Sequence, residues 1–344
     1  MGDASYLLVY RATAGSVRPP AVVRSTAVRK IARFWRWGLG AALVLGLLAY
    51  GGVSYRVADG ITKLERKPLV PAADVVSAVH EDVSFRATDG LLLKGWWFDA
   101  SALQKGFAKP DKAVVFVHGR GQNRIASSFH PDKIAPLFLA RGWDVLLFDL
   151  RGHGESEGER YSLGQYEPRD IVAAVDLAAK KGGVDRRRVA VVGESLGGGS
   201  AIMTVGLDPT IGPVVTDSAY ADAYTVVSEV GTNYTGLPSW FTPGIVLAGK
   251  LFFGLDVASV KPAEVVRAHP ERAWLFVQCE GDKTVFAHHG RDLKAASANP
   301  DTELWIVDGC DHVKAFTEHS AEWQQHVFAF LDRELTRAPS AASR

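Results

Sequence analysis

A serine between two glycines is the residue of this chain most suited to chemistry. Residues 193–197 read Gly-Glu-Ser-Leu-Gly, a G-x-S-x-G pentapeptide. The apolar run before it, over residues 188–192, predicts a buried strand, and the small-residue run over 196–207 predicts a helix. A serine on such a sharp turn has an exposed hydroxyl, and the flanking glycines leave room for the turn. Ser195 is therefore the predicted nucleophile; a tightly packed helix start without chemistry is the alternative.

A serine hydroxyl becomes an effective nucleophile only when a base takes its proton. In open α/β sheets, functional groups lie beyond the carboxyl ends of the strands. His312 follows a predicted strand at 303–307 and is the predicted base, with a solvated loop histidine as the alternative. His118 and His153 also follow predicted strands. Four other histidines fall within predicted helices and are expected at the surface: His288, His289, His319 and His326.

The base needs an acid that holds its ring, and this acid should also end a strand. Asp282 follows a predicted strand at 273–278 and precedes a predicted helix, so it is the predicted acid. Asp217, at the end of the preceding strand, is the competitor. Asp308 and Asp311 are more distant alternatives.

The negative oxygen that forms during acyl transfer needs hydrogen-bond donors. The backbone N–H of Leu196, at the start of the predicted helix, is one expected donor. The second should come from the loop after the strand at 113–117, which reads His-Gly-Arg-Gly-Gln-Asn. The glycines of this loop allow a main-chain N–H to approach the substrate, and Arg120 is predicted to donate through its backbone.

Strand and helix patterns alternate along most of the chain and predict a mostly parallel sheet with helices on both faces. Two runs separated by Thr-Asp-Gly predict an antiparallel hairpin at the front of this sheet. The predicted strands are 83–87, 91–98, 113–117, 143–148, 188–192, 213–216, 273–278 and 303–307. The predicted helices are 133–141, 166–181, 196–207, 286–298 and 319–335.

Residues 219–260 interrupt this alternation with an aromatic-rich, irregularly helical segment. Such an insertion can form a lid over a pocket. The alternative is that its aromatic residues are packed core.

An apolar, uncharged segment over residues 37–55 is long enough for a membrane-spanning helix, which takes about 17–25 residues. Trp35 and Trp37 at one end, and Tyr50 and Tyr55 at the other, match interfacial anchors. A buried core helix and a cleaved signal peptide are the alternatives. More cations precede the segment than closely follow it, which predicts a single-pass membrane protein with a cytoplasmic N-terminus and the remaining chain on the outer side.

The predicted organisation surrounds this span. Residues 1–36 are predicted to be a basic, disordered tail, 56–80 a linker, and 338–344 a disordered tail. The intervening residues 81–337 should form one α/β domain that includes the lid.

Composition excludes several classes of protein. The 344 residues carry a formal net charge of +1, and no sustained basic stretch lies outside the N-terminal region, which excludes a typical nucleic-acid binder. Cys279 and Cys310 are the two cysteines, so neither a disulfide-rich scaffold nor a cysteine zinc cluster is expected.

Four segments together resemble the serine hydrolases of the α/β-hydrolase fold, and within them the membrane-anchored BEM46-like group. They read VFVHGRGQN, LLFDLRGHGESEG, VVGESLGG and GDKTV…DGCDHVKAF. The resemblance covers about residues 80–335. The order Ser195, Asp282, His312 is also the chain order of triads on this fold.

The resemblance implies hydrolysis of a small-molecule acyl ester or thioester through an acyl-enzyme, without metal or organic cofactor. A peptidase or acyltransferase with the same triad, and a membrane-tethered binding module without activity, are the alternatives. The family uses residues 149–156 as a structural loop, so His153 is not expected to be catalytic. Two departures from the family pattern are Arg120, which can narrow the pocket or attract an anionic acyl group, and the pair Gln278 and Cys279 at a strand end.

The two cysteines immediately precede the acid and base segments. If Asp282 and His312 hydrogen-bond, Cys279 and Cys310 should be near neighbours. The predicted outer location permits oxidation. A disulfide between them is therefore a hypothesis, with two buried free thiols as the alternative. Oligomeric state has no signal in the sequence.

Overall fold

The computed structural model describes residues 26–63, 65–69, 80–103 and 110–337. Eight strands lie within them: β1 Glu81–Arg86, β2 Leu92–Phe98, β3 Ala113–Val117, β4 Asp144–Phe148, β5 Val189–Glu194, β6 Val214–Asp217, β7 Leu275–Cys279 and β8 Glu303–Val307. The helices are α1 Thr26–Thr62, α2 Ala100–Leu103, α3 Pro131–Leu139, α4 Glu167–Gly182, α5 Leu196–Leu207, α6 Ala223–Thr235, α7 Thr242–Phe253, α8 Pro262–Ala268, α9 His288–Ala296, α10 Ala315–Glu318 and α11 Ser320–Arg337.

The strands form one sheet in the order β1-β2-β4-β3-β5-β6-β7-β8. β1 and β2 are antiparallel to each other, and β2 is antiparallel to β4, whereas all further pairs are parallel. β3, β4 and β5 are buried along their whole length, as continuous apolar strands covered on both faces should be. The predicted fold class and the hairpin at the front of the sheet are confirmed.

Two hydrophobic cores lie on opposite faces of this sheet. One centres on Phe138, Trp143 and Trp323, where α3 and α11 cover the sheet. The other contains Trp97 and Trp274 and is covered mainly by α4, α5 and α9. Helices on both faces bury the sheet and leave the carboxyl ends of the parallel strands at one edge, where the predicted site residues lie.

The ends of several helices and strands differ from the predicted bounds by a few residues, because individual residues determine where each element begins or ends. The helix predicted at 133–141 begins at Pro131, since proline is favoured in the first helical turn, and the chain turns at Gly142 with φ of 71°. The short helix α10, directly after the predicted base, was not predicted.

Helix α1 extends beyond the predicted apolar span at both ends. It starts at Thr26, inside the predicted tail, and continues to Thr62, inside the predicted linker. Its segment from Arg29 to Thr62 is long and apolar enough to cross a membrane. The chain divides into two compact units, one ending at Ala49 and the other beginning at Tyr50. The rest of the predicted tails, 1–25 and 338–344, and residues 64 and 70–79 of the predicted linker lie outside the described residues.

The segment predicted as a lid, 219–260, contains α6, α7 and two short 3₁₀ turns. Asp222 caps α6 by accepting a hydrogen bond from the Thr225 N–H. Gly236 and Gly254 end α6 and α7 in left-handed conformation, which glycine adopts without strain. These caps explain why the segment is helical although its apolar spacing is irregular.

Candidate active site

Ser195 lies on the turn between β5 and α5, with φ of 49° and ψ of −115°. Positive φ is uncommon for a residue with a side chain and costs free energy. The Ser195 N–H donates to the Asp217 carbonyl (2.8 Å) and the Gly199 N–H donates to the Ser195 carbonyl (3.0 Å), so the neighbouring strand and the helix hold the strained turn.

The two glycines of the pentapeptide are required by close backbone contacts. A Cβ on Gly193 would lie 2.5 Å from the Gly197 carbonyl oxygen, and a Cβ on Gly197 would lie 2.2 Å from that of Val117. The turn therefore closes only without side chains at both positions.

The structure brings Ser195, His312 and Asp282 together from three strand ends. The Ser195 Oγ lies 2.9 Å from His312 Nε2, and His312 Nδ1 lies 2.7 Å from Asp282 Oδ2. An ionised carboxylate can only accept hydrogen bonds, so Nδ1 carries the ring proton and Nε2 accepts from the serine hydroxyl. This is the tautomer in which the ring can take a proton from Ser195.

Asp282 is fully buried and is held by its own loop. Its Oδ1 accepts hydrogen bonds from the backbone N–H groups of Thr284 and Val285, both at 2.8 Å. The Gln278 amide donates to Oδ2 at 3.3 Å and to the Val285 carbonyl at 2.8 Å. The sequence marked Gln278 as a departure from the family pattern but did not indicate this bracing contact.

Asp217, the competing acid, does not hydrogen-bond to His312 in the structure. Its Oδ1 accepts from the Ser218 hydroxyl (3.0 Å), and burial raises the pKa of Asp217 to about 7. Asp311 accepts from the His312 and Lys283 backbone N–H groups, which favour the charged carboxylate and lower its pKa.

The charge of His312 depends on opposing effects. Burial lowers the pKa of its imidazole, but the hydrogen bond and charge of Asp282, with smaller contributions from Asp217 and Glu194, outweigh burial. The pKa of His312 therefore lies above its ordinary value of 6.5. The next residue, Val313, has φ of 55°, and its N–H donates to the Ser218 hydroxyl (3.0 Å), which fixes the backbone beside His312.

A disulfide joins Cys279, at the end of β7, to Cys310, in the loop after β8. The Gly281 N–H also donates to the Cys310 carbonyl at 3.1 Å. The hypothesis of a bond between these two cysteines is borne out, and it links the loop of Asp282 to the loop of His312.

Leu196 and Arg120 both line the pocket beside Ser195. Within the described part of the chain, neither backbone N–H donates a hydrogen bond to another protein group, which leaves both available to a substrate oxygen. The neighbouring N–H groups are occupied: Gly119 donates to Glu194 Oε1 (2.8 Å), and Gly121 donates to His153 Nε2 (3.0 Å).

Glu194 is a site residue that sequence reasoning missed. Its side chain is buried, and its Oε1 accepts from Gly119 and from the Ser127 hydroxyl (2.5 Å). Burial raises the pKa of this carboxyl. The only signal in the sequence was an acidic residue inside an otherwise apolar turn, and that signal does not show where the side chain points.

His118 and His153 serve the loop and do not contact Ser195. His118 Nδ1 donates to the Gly119 carbonyl (2.8 Å), and its Nε2 accepts from the Leu150 N–H (3.0 Å). Burial lowers the pKa of both imidazoles, so they stay neutral. The loop at 149–156 is itself fixed, because buried Arg124 donates to Asp149 Oδ2 at 2.8 Å.

An apolar cleft with about 840 Å³ of space, partly open to solvent, lies over Ser195. Its walls come largely from α6 and α7 of the lid segment, together with Ile61 of α1. The Arg120 guanidinium lies at this cleft; its Nε donates to the Tyr161 hydroxyl (2.7 Å), and its plane lies near the ring of Tyr234. No acidic partner of Arg120 is found among the described residues.

His289 is buried, which corrects the expectation that it lies at the surface. Its Nδ1 accepts from the Ala221 N–H (3.3 Å), so Nε2 carries the proton and donates to Glu229 of α6 (3.1 Å). His288 Nε2 contacts the same carboxylate at 2.7 Å. The potential metal-ligating atoms of Glu229, His288 and His289 lie within 4.8 Å of one another. A protonated Nε2 of His289 has no lone pair for a cation, however. We therefore interpret these three residues as a hydrogen-bonded contact between α6 and α9.

Comparison with known proteins gives both sequence and fold relatives. The chain is 28% identical over 273 residues to the uncharacterized protein YfhR of Salmonella typhi, which covers 75% of this chain and 84% of that protein. It is 28% identical over 229 residues to the uncharacterized protein YqkD of Bacillus subtilis, and the aligned region covers 64% of this chain and 70% of that protein. The fold is similar to that of the Pyrococcus furiosus esterase Pf2001, with a TM-score of 0.63 at 22% identity, covering 79% of this chain and 98% of that one.

A family model extends this similarity across the elements that carry the site. Residues 114–324 match the model described as the alpha/beta hydrolase family. The matched segment begins in β3, contains Ser195, Asp282 and His312, and ends in α11. The chain belongs to the alpha/beta hydrolase family.

Proposed function

We propose that this protein is a serine hydrolase that cleaves a carboxylic ester or thioester through an acyl-enzyme. The observation that carries the proposal is the continuous hydrogen-bond chain from Ser195 through His312 to Asp282. A serine, a neutral imidazole and a buried carboxylate in this order form the arrangement used for acyl transfer.

In the proposed first half-reaction, the Ser195 oxygen attacks the substrate carbonyl carbon while its proton moves to His312 Nε2. The carbonyl oxygen becomes negative and accepts hydrogen bonds from the N–H groups of Leu196 and Arg120. Collapse of this intermediate breaks the bond to the leaving group, which takes the proton from His312. Asp282 holds the imidazole and stabilises its cationic form.

In the second half-reaction, water replaces the leaving group. His312 takes a proton from water, whose oxygen attacks the acyl carbon, and the bond between the acyl group and Ser195 breaks. The proton returns to the Ser195 oxygen, and a carboxylic acid is released. Every group used is a side chain or backbone N–H of this chain, so the proposal requires no metal or organic cofactor.

The cleft supports a small-molecule substrate with an apolar acyl group. Val226, Val230 and Ile245 line it, and burial of such surfaces favours apolar ligands. The guanidinium of Arg120 adds a positive charge at the wall, which suits a neutral or anionic acyl chain better than a cationic one. The esterase activity named for the structural relative Pf2001 is in line with this proposal.

We also propose that the protein belongs to the BEM46-like membrane-anchored group, with α1 as the span and residues 81–337 as the catalytic domain on the outer side. The disulfide between Cys279 and Cys310 supports an oxidising compartment. Labelling of intact cells with a membrane-impermeant amine reagent tests the orientation: modification of surface lysines outside the lid, such as Lys180, is expected, and labelling only after lysis would contradict it.

The function is tested with purified full-length protein and a panel of substrates. Short-chain p-nitrophenyl esters, including one with an anionic acyl chain, should be hydrolysed, whereas aminoacyl amides should not; turnover of the amides would indicate a peptidase. Transfer to added alcohols in place of water would instead indicate an acyltransferase.

Ser195→Ala should abolish turnover, whereas Ser84→Ala, an exposed serine on β1, should leave it unchanged. Ester turnover retained by Ser195→Ala would refute the nucleophile. Absence of turnover and of fluorophosphonate labelling in the unmodified protein would favour a binding module.

A further inference from the structure

The outer side of α7 and the turn before it carry an unusual exposed apolar surface. Trp240, Leu247, Leu251 and Phe252 are each between 55% and 68% exposed; we call these four residues the lid patch. Leu247 and Leu251 are four residues apart in α7 and therefore lie on one helical face, and Trp240 lies in the 3₁₀ turn directly before the helix. Large exposed apolar groups in a contiguous set mark an interaction surface.

The part of α7 that contacts α1 is already covered. Ile245 and Ala248 are buried against Ala58 of α1. Gly244 packs closely there too, because a Cβ on it would lie 2.5 Å from both the Ser54 Oγ and the Tyr50 ring. These contacts leave Leu247, Leu251 and Phe252 exposed, although Phe252 lies seven residues after Ile245 and on the same side of α7.

The lid patch is continuous with the last turns of α1. Tyr50 stacks on Trp240 with ring centroids 5.6 Å apart, and its hydroxyl donates to the Trp240 carbonyl (3.0 Å). Tyr55 meets Phe252 edge to face at 5.1 Å. Since α1 rises about 1.5 Å per residue, Tyr55 lies about 8 Å along the helix from Tyr50.

Tyr50 directly follows the exposed apolar part of α1 in the chain, and it is the first residue of the unit that contains the sheet and the lid segment. The preceding residues of α1 include exposed Leu43, Leu45, Leu47 and Leu48, within the segment long enough to cross a membrane. The lid patch thus contacts Tyr50, the residue that directly follows this segment in the chain.

The composition of the surface fits a bilayer interface better than a protein partner. Tryptophan and tyrosine favour the headgroup level, and leucine and phenylalanine favour the acyl boundary. Lys250 is exposed beside Leu251, and its ammonium pairs with Asp256 at 2.6 Å, so the pair can lie in the headgroup layer while the lysine stem lies along apolar surface. We propose that the lid patch inserts into the interface of the bilayer to which α1 is anchored.

This docking defines a substrate class, and that part rests on the proposed function. Phe241 and Ile245 of the same lid segment line the cleft over Ser195, so the element that contacts the bilayer also forms the wall of the acyl site. A substrate dissolved in the bilayer could therefore enter without crossing water. The proposed class is an ester of an apolar acyl chain that resides in the membrane.

The docking is tested with the full-length protein in nanodiscs that contain lipids brominated on their acyl chains. Single variants Leu251→Cys and Leu247→Cys are labelled with a bimane fluorophore; the native cysteines are paired in the disulfide. Leu207→Cys is the matched control, because Leu207 is also an exposed leucine (56%) but ends α5, outside the lid. Quenching severalfold stronger at positions 251 and 247 than at 207 is expected.

Equal, weak quenching at all three positions would overturn the proposal. Crosslinking of two protein copies through Leu251→Cys, without lipid quenching, would also overturn it and would indicate self-association through the lid patch. Neither readout depends on catalysis.

The substrate class is tested separately with Leu251→Glu, which should lower turnover of an ester embedded in the nanodisc at least fivefold while a water-soluble ester is hydrolysed as before. Equal effects on both esters would contradict loading from the bilayer. Loss of hydrolase activity in the unmodified protein would refute the proposed function but leave the quenching result to decide docking.

Discussion

At the scale of single residues, the proposed chemistry depends on which group carries each proton. Asp282 accepts four hydrogen bonds and is enclosed, so it orients His312 with Nε2 toward Ser195. The proximity of these residues was predictable from the sequence because each of them follows a strand of a parallel sheet, and the strand ends meet at one edge. The direction of the Glu194 side chain was not predictable, since it depends on how the turn packs under the Gly119 loop.

The pH dependence follows from the raised pKa of His312. The imidazole must be neutral to take a proton, so activity is present above this pKa and is lost as pH falls through it. As pH is lowered, kcat/KM for a neutral ester should reach half of its maximum while the pH is still above 6.5.

Asp282→Asn should lower kcat by up to about 10⁴-fold, because the ring loses its correct tautomer. The residual activity of this variant should lose its acid limb at a lower pH than the unmodified protein.

A pH-rate profile from pH 5 to 9 measures both effects. An acid limb in Asp282→Asn at the same or higher pH than in the unmodified protein would show that Asp282 does not set the titration of the base.

Glu194 should act as a positioning residue for the oxyanion loop. Glu194→Ala removes the acceptor of the Gly119 N–H. This change should lower kcat by about tenfold to a hundredfold with little change in KM, which is no larger than the loss expected when a hydrogen-bond donor to the oxyanion itself is removed. Glu194→Gln keeps an acceptor oxygen and should restore most of kcat. Steady-state kinetics with a soluble ester separate these outcomes, and a Gln variant as impaired as the Ala variant would argue against positioning by this hydrogen bond.

At the scale of elements, the site is held by connections between neighbouring loops. The strand-to-helix turn at Ser195 closes against β3, and the disulfide ties the loop after β7 to the loop after β8. Continuous apolar runs such as β3 were predictable because burial on both faces requires them. The bounds of α1 were less predictable, since neither proline nor a glycine cap marks its end at Thr62. The burial of His289 in α9 could not be predicted from the local pattern, because its partner, Glu229, is distant in sequence.

Gly197→Ala tests the turn. The added methyl group would overlap the backbone of β3, which cannot move like a flexible side chain, so we expect a loss of stability of at least about 1–3 kcal/mol and loss of ester turnover. Gly231→Ala in α6 is the control: its Cβ would meet Thr242 Oγ1 at an ordinary 3.5 Å, and stability should be unchanged or slightly higher. Chemical denaturation measures both; equal stability of the two variants would contradict the close contact.

The disulfide should stabilise the paired loops. Closing a loop of 31 residues removes chain entropy from the unfolded state worth about 3–4 kcal/mol. Cys310→Ser, and reduction of the unmodified protein, should each lower the free energy of unfolding by about this amount. The denaturation midpoint with and without dithiothreitol measures it, and a midpoint insensitive to reduction, with both thiols then shown to be free, would contradict the prediction.

At the scale of the whole molecule, one helix contains both an apolar segment and a residue, Ile61, that lines the cleft over Ser195. The residues up to Ala49 form one unit, and Tyr50 begins the unit that contains the sheet, the lid segment and the site. The sequence predicted the apolar span and the domain, but the continuation of α1 into the second unit depends on packing of Ser54 and Ala58 under α7, which no local pattern encodes. The molecule is thereby proposed to act on esters at a membrane surface.

The central claim is that Ser195 forms the covalent acyl-enzyme. The most direct measurement is mass spectrometry of the full-length protein after reaction with a fluorophosphonate, with peptide fragmentation to locate the adduct. We predict one adduct, on Ser195, whose formation slows as pH falls through the pKa of His312 and which is absent in Ser195→Ala. An adduct on another residue, or labelling of Ser195→Ala at the rate of the unmodified protein, would contradict the claim.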